Sequence, residues 1–184
     1  MGKLKKQERL DQLVEAIKVN PFLTDEELSD MFEVSIQTIR LDRLKLDIPE
    51  LRQRVKTVAT KNYGKVKTLG QAEIVGELID LNLNVDGISF LETDMSMAFS
   101  KTKIVKGHYI FAMAESLAMA CIDAPVAITG VANMKYRVPV QAGEKLVAKA
   151  KVTQIRDHKE YYVHVMIHLK GDQVFRSKFI LTSV

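Results

Sequence analysis

The sequence predicts an α+β protein in two parts: a helical N-terminal unit, then a longer antiparallel sheet wrapped around one buried helix. Three observations carry this reading. Residues 24–46 punctuate as two short helices joined by a tight turn. Residues 107–123, GHYIFAMAESLAMACID, are apolar nearly all round, which a helix tolerates only when buried on most sides. Residues 126–181 hold four strand-like runs, two of them with two-fold apolar alternation.

The first helix is expected over residues 6–19, where Leu10, Leu13, Val14 and Ile17 share one face and Asn20-Pro21 ends it. Thr24 then caps a second helix, and Glu27 three residues on completes a capping box. Leu28, Met31 and Phe32 supply its apolar face, and Glu33-Val34 makes the turn. Ser35 is a suitable N-cap for the third helix. On that helix Ile36, Ile39 and Leu44 are expected to point inward, leaving Ser35, Gln37, Thr38, Arg40 and Arg43 outward. Short polar groups at a helix start reach base edges, and arginines further along reach phosphates. An ordinary amphipathic helix pair in a larger core would show the same apolar spacing. The segment also resembles the DeoR-like winged helix-turn-helix, whose second helix reads VSxxTIRxDxxxL. Val34, Ser35, Thr38, Ile39, Arg40, Asp42 and Leu46 carry that pattern, the last leucine one position late.

At 184 residues the chain has room for one domain or two small ones, and 47% hydrophobic with 27% charged residues is ordinary for a globular protein. Cys121 is the single cysteine, which excludes an intrachain disulfide and suggests a reducing compartment. The start, MGKLKKQERL, lacks the apolar run of a signal peptide. The most apolar stretch, 109–122, is too short to span a bilayer and contains Glu115. A cytoplasmic protein with no membrane partner is expected. The net charge of +4 is modest, but its placement is informative. Between positions 40 and 65 eight Lys/Arg face three acids, and Lys3, Lys5, Lys6 and Arg9 precede the helix pair against Glu8. Cations on both sides of a recognition helix suit a phosphate footprint.

Asp47 is placed to cap a further helix with Pro49 in its first turn. Leu51, Val55 and Val58 form a thin apolar stripe, with Arg52, Arg54 and Lys56 outside it. Residues 47–66 therefore read as an amphipathic linker helix between a DNA-binding unit, 1–46, and a second domain, 67–184, with Gly64 and Gly70 bracketing the break. A mobile linker carrying surplus charge is the alternative. Residues 74–83 and 87–99 are strand-like, a partly helical 74–83 being the alternative; the buried helix follows; then come strands at 126–137, 145–156, 161–169 and 173–181, with Gly171-Asp172 as a hairpin turn. Val147, Ala148, Ala150 and Val152, then Tyr162, His164, Met166 and His168, supply the alternation. This order resembles the hot-dog architecture, as does the stretch YRVPVQAGEKLV at 136–147 with its aromatic, proline, glycine turn and strand. The resemblance implies a homodimer joined sheet edge to sheet edge, which also covers the edge strand.

No P-loop, dinucleotide fingerprint or metal cluster is visible, so no cofactor or metal is expected; His164 and His168 read as partly exposed sheet residues. Glu115 stands out as the ionisable side chain within 109–122, where a charge is costly unless paired, hydrogen-bonded or beside a wet cleft. Pairing with a cation across a dimer interface would satisfy it without any ligand. At the helix start, Lys106 adds positive charge where free N–H groups favour an anion, and Gly107 leaves space for a ligand.

Over nearly its whole length the chain resembles the bacterial repressors of fatty-acid and phospholipid biosynthesis, the FapR family. That family's Arg-Gly-His followed by Phe-Ala-Gln-Ala-Asn-Ser-Leu matches Lys106-Gly107-His108 and Phe111-Ala112-Met113-Ala114-Glu115-Ser116-Leu117. The resemblance implies a homodimer bound to an inverted-repeat operator in double-stranded DNA through Ser35, Gln37, Thr38, Arg40, Arg43, Lys5 and Lys6. It implies release by malonyl-CoA or malonyl-acyl carrier protein at Lys106, Gly107 and Glu115, with Phe99 and Ile128 completing the expected ligand set. Two departures matter. Lys106 replaces the arginine that pairs with the malonyl carboxylate and lacks its bidentate fork. Glu115 replaces an asparagine, adds negative charge near an anionic ligand, and stands where hot-dog thioesterases often carry an acid. The rival expectations are an acyl-CoA thioesterase with a DNA-binding appendage and Glu115 catalytic, and a DNA binder whose second domain only dimerises.

Overall fold

The computed structural model describes residues 6–184, which form two compact units dividing between Thr57 and Val58. In the first, α1 (Lys6–Val19), α2 (Asp25–Phe32) and α3 (Ile36–Lys45) enclose a small core of Leu13, Ile17, Leu28, Phe32 and Ile39. Thr24 caps α2, accepting from the Glu27 amide at 3.1 Å while the Glu27 carboxylate accepts from the Thr24 amide at 2.8 Å. Glu33 ends α2 in the left-handed region (φ +51°), and the Val34 amide returns to the Ser29 carbonyl at 3.1 Å. That closure supplies the sharp turn between α2 and α3.

Several expectations about faces need correction. Met31 on α2 and Leu44 on α3 point into solvent, 54% and 70% exposed. The burying face of α3 is instead Ile39 with Asp42 and Arg43. Asp47 does not cap the following helix. It is the left-handed residue (φ +52°) closing α3, with the Ile48 amide bonded to the Arg43 carbonyl at 2.9 Å. Helix α4 (Leu51–Tyr63) therefore begins beyond Pro49. Arg54, expected on its outer face, is buried. Residues 51–57 of α4 belong to the first unit and 58–63 to the second.

In the second unit β1 (Glu77–Asn82), β2 (Asp86–Glu92), β3 (Ala127–Tyr136), β4 (Lys145–Arg156), β5 (Glu160–Leu169) and β6 (Asp172–Ser183) form one antiparallel sheet in the order β1-β2-β4-β5-β6-β3. The run 87–99 is thus only partly strand: it stops at Glu92, and Asp94 caps a 3-10 turn at Met95–Met97. The last hairpin turns on Lys170 and Gly171, both at positive φ, one residue earlier than expected. Helix α5 (Gly107–Ala120) lies in the concave face of the sheet. Met113, Ala114, Leu117 and Ala118 meet Ala148, Val163, Val165, Ile167, Phe175 and Phe179 in one core. This is the hot-dog arrangement. On β5 the inward set is Tyr161, Val163, Val165 and Ile167, so Tyr162, His164, Met166 and His168 line the outer face. Gly87 on β2 lets α5 approach, since a Cβ there would stand 2.9 Å from the Cys121 sulfur. Burial in that contact, with Asp86 nearby, pushes the Cys121 thiol up to about 12.

Candidate functional site

On α3, Ser35 is the N-cap, its hydroxyl accepting from the Thr38 amide at 3.2 Å and lying 2.9 Å from the Thr38 hydroxyl. Ser35, Gln37 and Arg40 are exposed and Thr38 is half-buried. Lys6 is exposed at the start of α1, and Lys5 lies outside the described residues. Arg43 does not join this outward set. Its guanidinium is buried and forks onto Asp25, Nε to Oδ1 at 2.8 Å and Nη2 to Oδ2 at 2.9 Å, while Nη1 donates to the Ile48 carbonyl at 3.2 Å. Burial works against the Asp25 charge, but the Arg43 bonds and charge, aided by Arg40, outweigh it and hold the carboxyl below its ordinary value. Arg40 itself, with a 61% exposed side chain, meets Asp25 only at 3.4 Å.

Two more of the flanking cations are internal. Arg9 pairs at 2.8 Å with Asp42, whose side chain is only 5% exposed. Arg54 donates to the carbonyls of Pro21, Leu23 and Pro49 at 2.9, 2.5 and 2.6 Å, tying the first turns of α4 to the helical unit. Burial, then the Arg43 charge, lower its pKa. The phosphate footprint is therefore smaller than the sequence suggests. Arg43 lies four residues from the buried Ile39 and Arg54 next to the buried Val55, but the partners that hold them inside come from distant parts of the chain. In the second unit, Asn62 on α4 plays the same fastening role, its amide donating to the Leu78 and Ile79 carbonyls of β1 at 3.2 and 2.6 Å. Tyr63 beside it donates to Glu77 at 3.0 Å; burial and that carboxylate push the phenol up to about 12.

At the other candidate site, Lys106 is the N-cap residue of α5 and its side chain makes no capping bond. Gly107 is a place of close approach, but the neighbour is protein: a Cβ there would stand 3.1 Å from the Tyr136 hydroxyl oxygen and 3.2 Å from the ring. The Tyr136 hydroxyl donates to the Gly107 carbonyl at 2.9 Å, and its ring stacks edge-on to Phe175 at 5.0 Å. The space beside Gly107 is occupied by the exposed Tyr136 ring, so a ligand approaching Gly107 meets that ring first. Glu115 is half-buried and has no hydrogen-bonding or ionic partner among the described residues. Nine positions along α5 put it roughly 13 Å from Lys106 on the opposite side of the helix. One protomer therefore does not bring the two together. Phe99 and Ile128 are exposed, 53% and 56%. Ile128 stands on β3, an outer strand of the sheet, with Val131, Met134 and Tyr136, all substantially exposed.

On the outer face, burial and the Lys178 charge lower the His164 pKa. Among the described residues no three His, Cys, Asp or Glu side chains cluster to hold a metal ion, and no helix is long and apolar enough to cross a membrane.

No family model matches the chain. Curated proteins do. The chain is 57% identical over 182 residues to the transcription factor FapR of Caldanaerobacter subterraneus, covering 99% of this chain and 90% of that one. It is 47% identical over 176 residues to the FapR of Bacillus subtilis, covering 95% and 94%, and 43% identical over 177 residues to that of Staphylococcus epidermidis, covering 96% and 95%. Among solved structures, an uncharacterized protein of Pyrococcus horikoshii matches with a TM-score of 0.58 and 28% identity over 62% of this chain and 87% of that one. A virulence protein of Campylobacter jejuni matches with a TM-score of 0.64 and 20% identity, over 70% and 91%, a likeness of fold.

Proposed function

Because the chain belongs to the FapR family of transcription factors, we propose that it represses fatty-acid and phospholipid synthesis genes as a homodimer and is released from DNA by malonyl-CoA or malonyl-acyl carrier protein. The observation that carries the DNA half is the outward face of α3. It presents Ser35, Gln37 and Arg40 on a helix whose other side is fixed by Ile39 and the two buried ion pairs of Asp25–Arg43 and Arg9–Asp42. Such preorganisation is what direct readout in a major groove needs. Two α3 helices in a dimer suit an inverted repeat, in the cytoplasm where the DNA lies.

The homodimer is supported by β3. It pairs with β6 on one side only, and its free edge carries apolar side chains, a combination that folded proteins normally cover. A partner copy also solves the separation of Lys106 from Glu115, because a ligand lying between two α5 helices meets the start of one and the middle of the other. Lys106 then holds the malonyl carboxylate at the positive end of α5, Gly107 and Tyr136 form the entrance, and Phe99 and Ile128 cover the acyl-thioester arm. Ligand binding releases DNA only if the two arrangements of the DNA-binding units differ in affinity for it.

A second reading has one observation in its favour: Glu115 is half-buried and unpartnered, as a carboxylate that activates water would be. Titration of the DNA-bound protein with a panel of acyl-CoAs, following both DNA release and free thiol, tests the two together. Release with intact malonyl-CoA is expected. Many turnovers of thiol would make the protein a thioesterase, and no response to any thioester would leave the second unit a dimerisation module.

A further inference from the structure

The outward face of α3 is not the polar surface that its sequence suggested. Gln37, Leu41 and Leu44 are spaced four and three residues apart and so form one stripe along the helix. Leu41 is 67% and Leu44 70% exposed, while Ile39, on the opposite side, is fully buried. Arg40 and Lys45, both exposed, stand on either side of the stripe. Two exposed leucines side by side on a helix face, between two cations, offer apolar surface that a partner could bury with gain.

We propose that Leu41 and Leu44 are specificity residues that pack on thymine C5-methyl groups in the major groove, so that the bound sequence carries thymine at fixed positions in each half-site. This rests on the reading of α3 as the DNA-contacting helix and adds to it. Duplex DNA is the occupant that the surrounding charges favour: Arg40, Lys45 and the free amides at the Ser35 end of α3 all suit a polyanion. Within the major groove the thymine methyl is the apolar feature that the base edges offer, and apolar side chains are its natural partners. Gln37, one turn before Leu41, is placed to bond an adjoining adenine edge, so the pair reads an A·T step from both of its bases.

The test uses the full-length protein. Duplexes bound from a random pool are sequenced, and each thymine of the selected site is replaced in turn by deoxyuracil, which lacks only the methyl. At one or more thymines per half-site the wild type should bind about four-fold less tightly, ~0.8 kcal/mol for one buried methyl at 1.4 kcal/mol per ten-fold. Leu41→Ala or Leu44→Ala should bind the thymine and deoxyuracil duplexes equally at that position, with the fold intact because both side chains are exposed. Equal affinity of the wild type for every deoxyuracil duplex overturns the proposal, and so does a thymine preference that survives both substitutions. If Leu41→Ala instead changes the oligomeric state of the free protein, the stripe is a protein contact and the proposal fails. Failure to select any duplex sequence would overturn the DNA-binding reading of α3 itself, a result distinguishable from the loss of methyl readout alone.

Discussion

Arg43 of α3 grips Asp25 of α2 through two parallel bonds of 2.8 and 2.9 Å, with the arginine side chain only 5% exposed. The pair sits at the first turn of α2, where the carboxylate also meets the positive end of the helix. It sets the angle at which α3 leaves the turn. Removing Arg43 leaves the part-buried Asp25 with only its long 3.4 Å contact to Arg40 and vacates a buried site. Arg43→Ala should therefore cost roughly 1–3 kcal/mol of stability in the helical unit. Hydrogen exchange of α2 and α3 in the full chain would show this as lost protection without DNA present. Unchanged protection together with weakened DNA binding would return Arg43 to the DNA surface.

The same pair gives a pH dependence. The folded Asp25 carboxyl titrates below the ordinary 3.8, so between those two values the unfolded chain binds more protons than the folded one. The stabilisation is complete only well above the unfolded value of 3.8 and is lost as pH falls toward and through the folded value. Urea unfolding of α2 and α3 followed from pH 6 to pH 2 should show this decline, and Asp25→Asn should flatten it while lowering stability at neutral pH. A wild type whose helical unit is equally stable at both ends of that range would contradict the assignment.

Arg40→Ala should weaken binding to the selected operator by roughly 1–3 kcal/mol, with loss of discrimination at one base pair if the side chain reads a base and a uniform loss if it meets phosphate. The exposed side chain and its long contact to Asp25 mean that the fold should not change. Fluorescence anisotropy on operator and scrambled duplexes separates the two cases. Gln37→Ala, measured beside it, should lose specificity without altering the salt slope. Full operator affinity in both variants would remove α3 from the interface.

The element types were legible because they rest on local signals. Thr24 with Glu27, and Ser35, announce helix starts through short-range bonds, and the unbroken apolar run after Gly107 can only be a buried helix. Which arginine faces solvent was not legible from composition. The excess of cations around α3 looks like one footprint, yet Arg9, Arg43 and Arg54 are consumed by partners 33, 18 and 31 to 33 residues away in sequence. Such pairings depend on tertiary placement. The apolar stripe of Leu41 and Leu44 was hidden for a related reason. Leu44 is assigned inward by period, but Asp42 and Arg43 occupy the inner face and turn it out. At the second site the motif Lys106-Gly107 was visible, but Tyr136 over Gly107 was not, because it comes from another strand.

On the outer strand β3, Val131 is 51% exposed, and Ile128, Met134 and Tyr136 of the same strand are exposed too. The full chain should be a dimer at micromolar concentration, and Val131→Lys should shift it toward monomer, since a lysine on an edge blunts strand pairing. Light scattering reads the mass directly. A monomeric wild type would set aside the edge-paired arrangement and with it a ligand site shared between protomers.

Lys106→Ala should leave DNA binding intact and abolish release by malonyl-CoA, because the cation at the start of α5 is the proposed anchor for the malonyl carboxylate. Gly107→Val tests the entrance differently. Its side chain would collide with the Tyr136 ring, so the variant should displace Tyr136 and break its bond to the Gly107 carbonyl. Tyr136→Phe breaks that bond without the collision. If the ring gates the entrance, Tyr136→Phe should respond to lower malonyl-CoA than the wild type, whereas Gly107→Val, whose own side chain occupies the space beside the start of α5, should not respond at all. Equal response in all three variants would place the effector elsewhere.

Glu115 separates a sensor from an enzyme. A hydrolytic carboxylate needs a water and a placed thioester, and it also needs product release fast enough for turnover. A sensor needs the reverse, a ligand that stays whole while the DNA-binding units rearrange. The helical unit, with its preorganised α3 and its fastening through Arg54 to α4, suits the sensor. Negligible acyl-CoA hydrolysis is therefore expected. The half-buried Glu115 carboxylate has no cation paired with it among the described residues and should repel an anionic ligand. Glu115→Asn removes that charge and one methylene, so it should bind malonyl-CoA as well as the wild type or more tightly, read by calorimetry. It should also release DNA at the same or lower effector concentration. Multiple turnovers of acyl-CoA by the wild type, abolished in Glu115→Asn, would instead make this side chain the base of a thioesterase and leave DNA binding as its regulation.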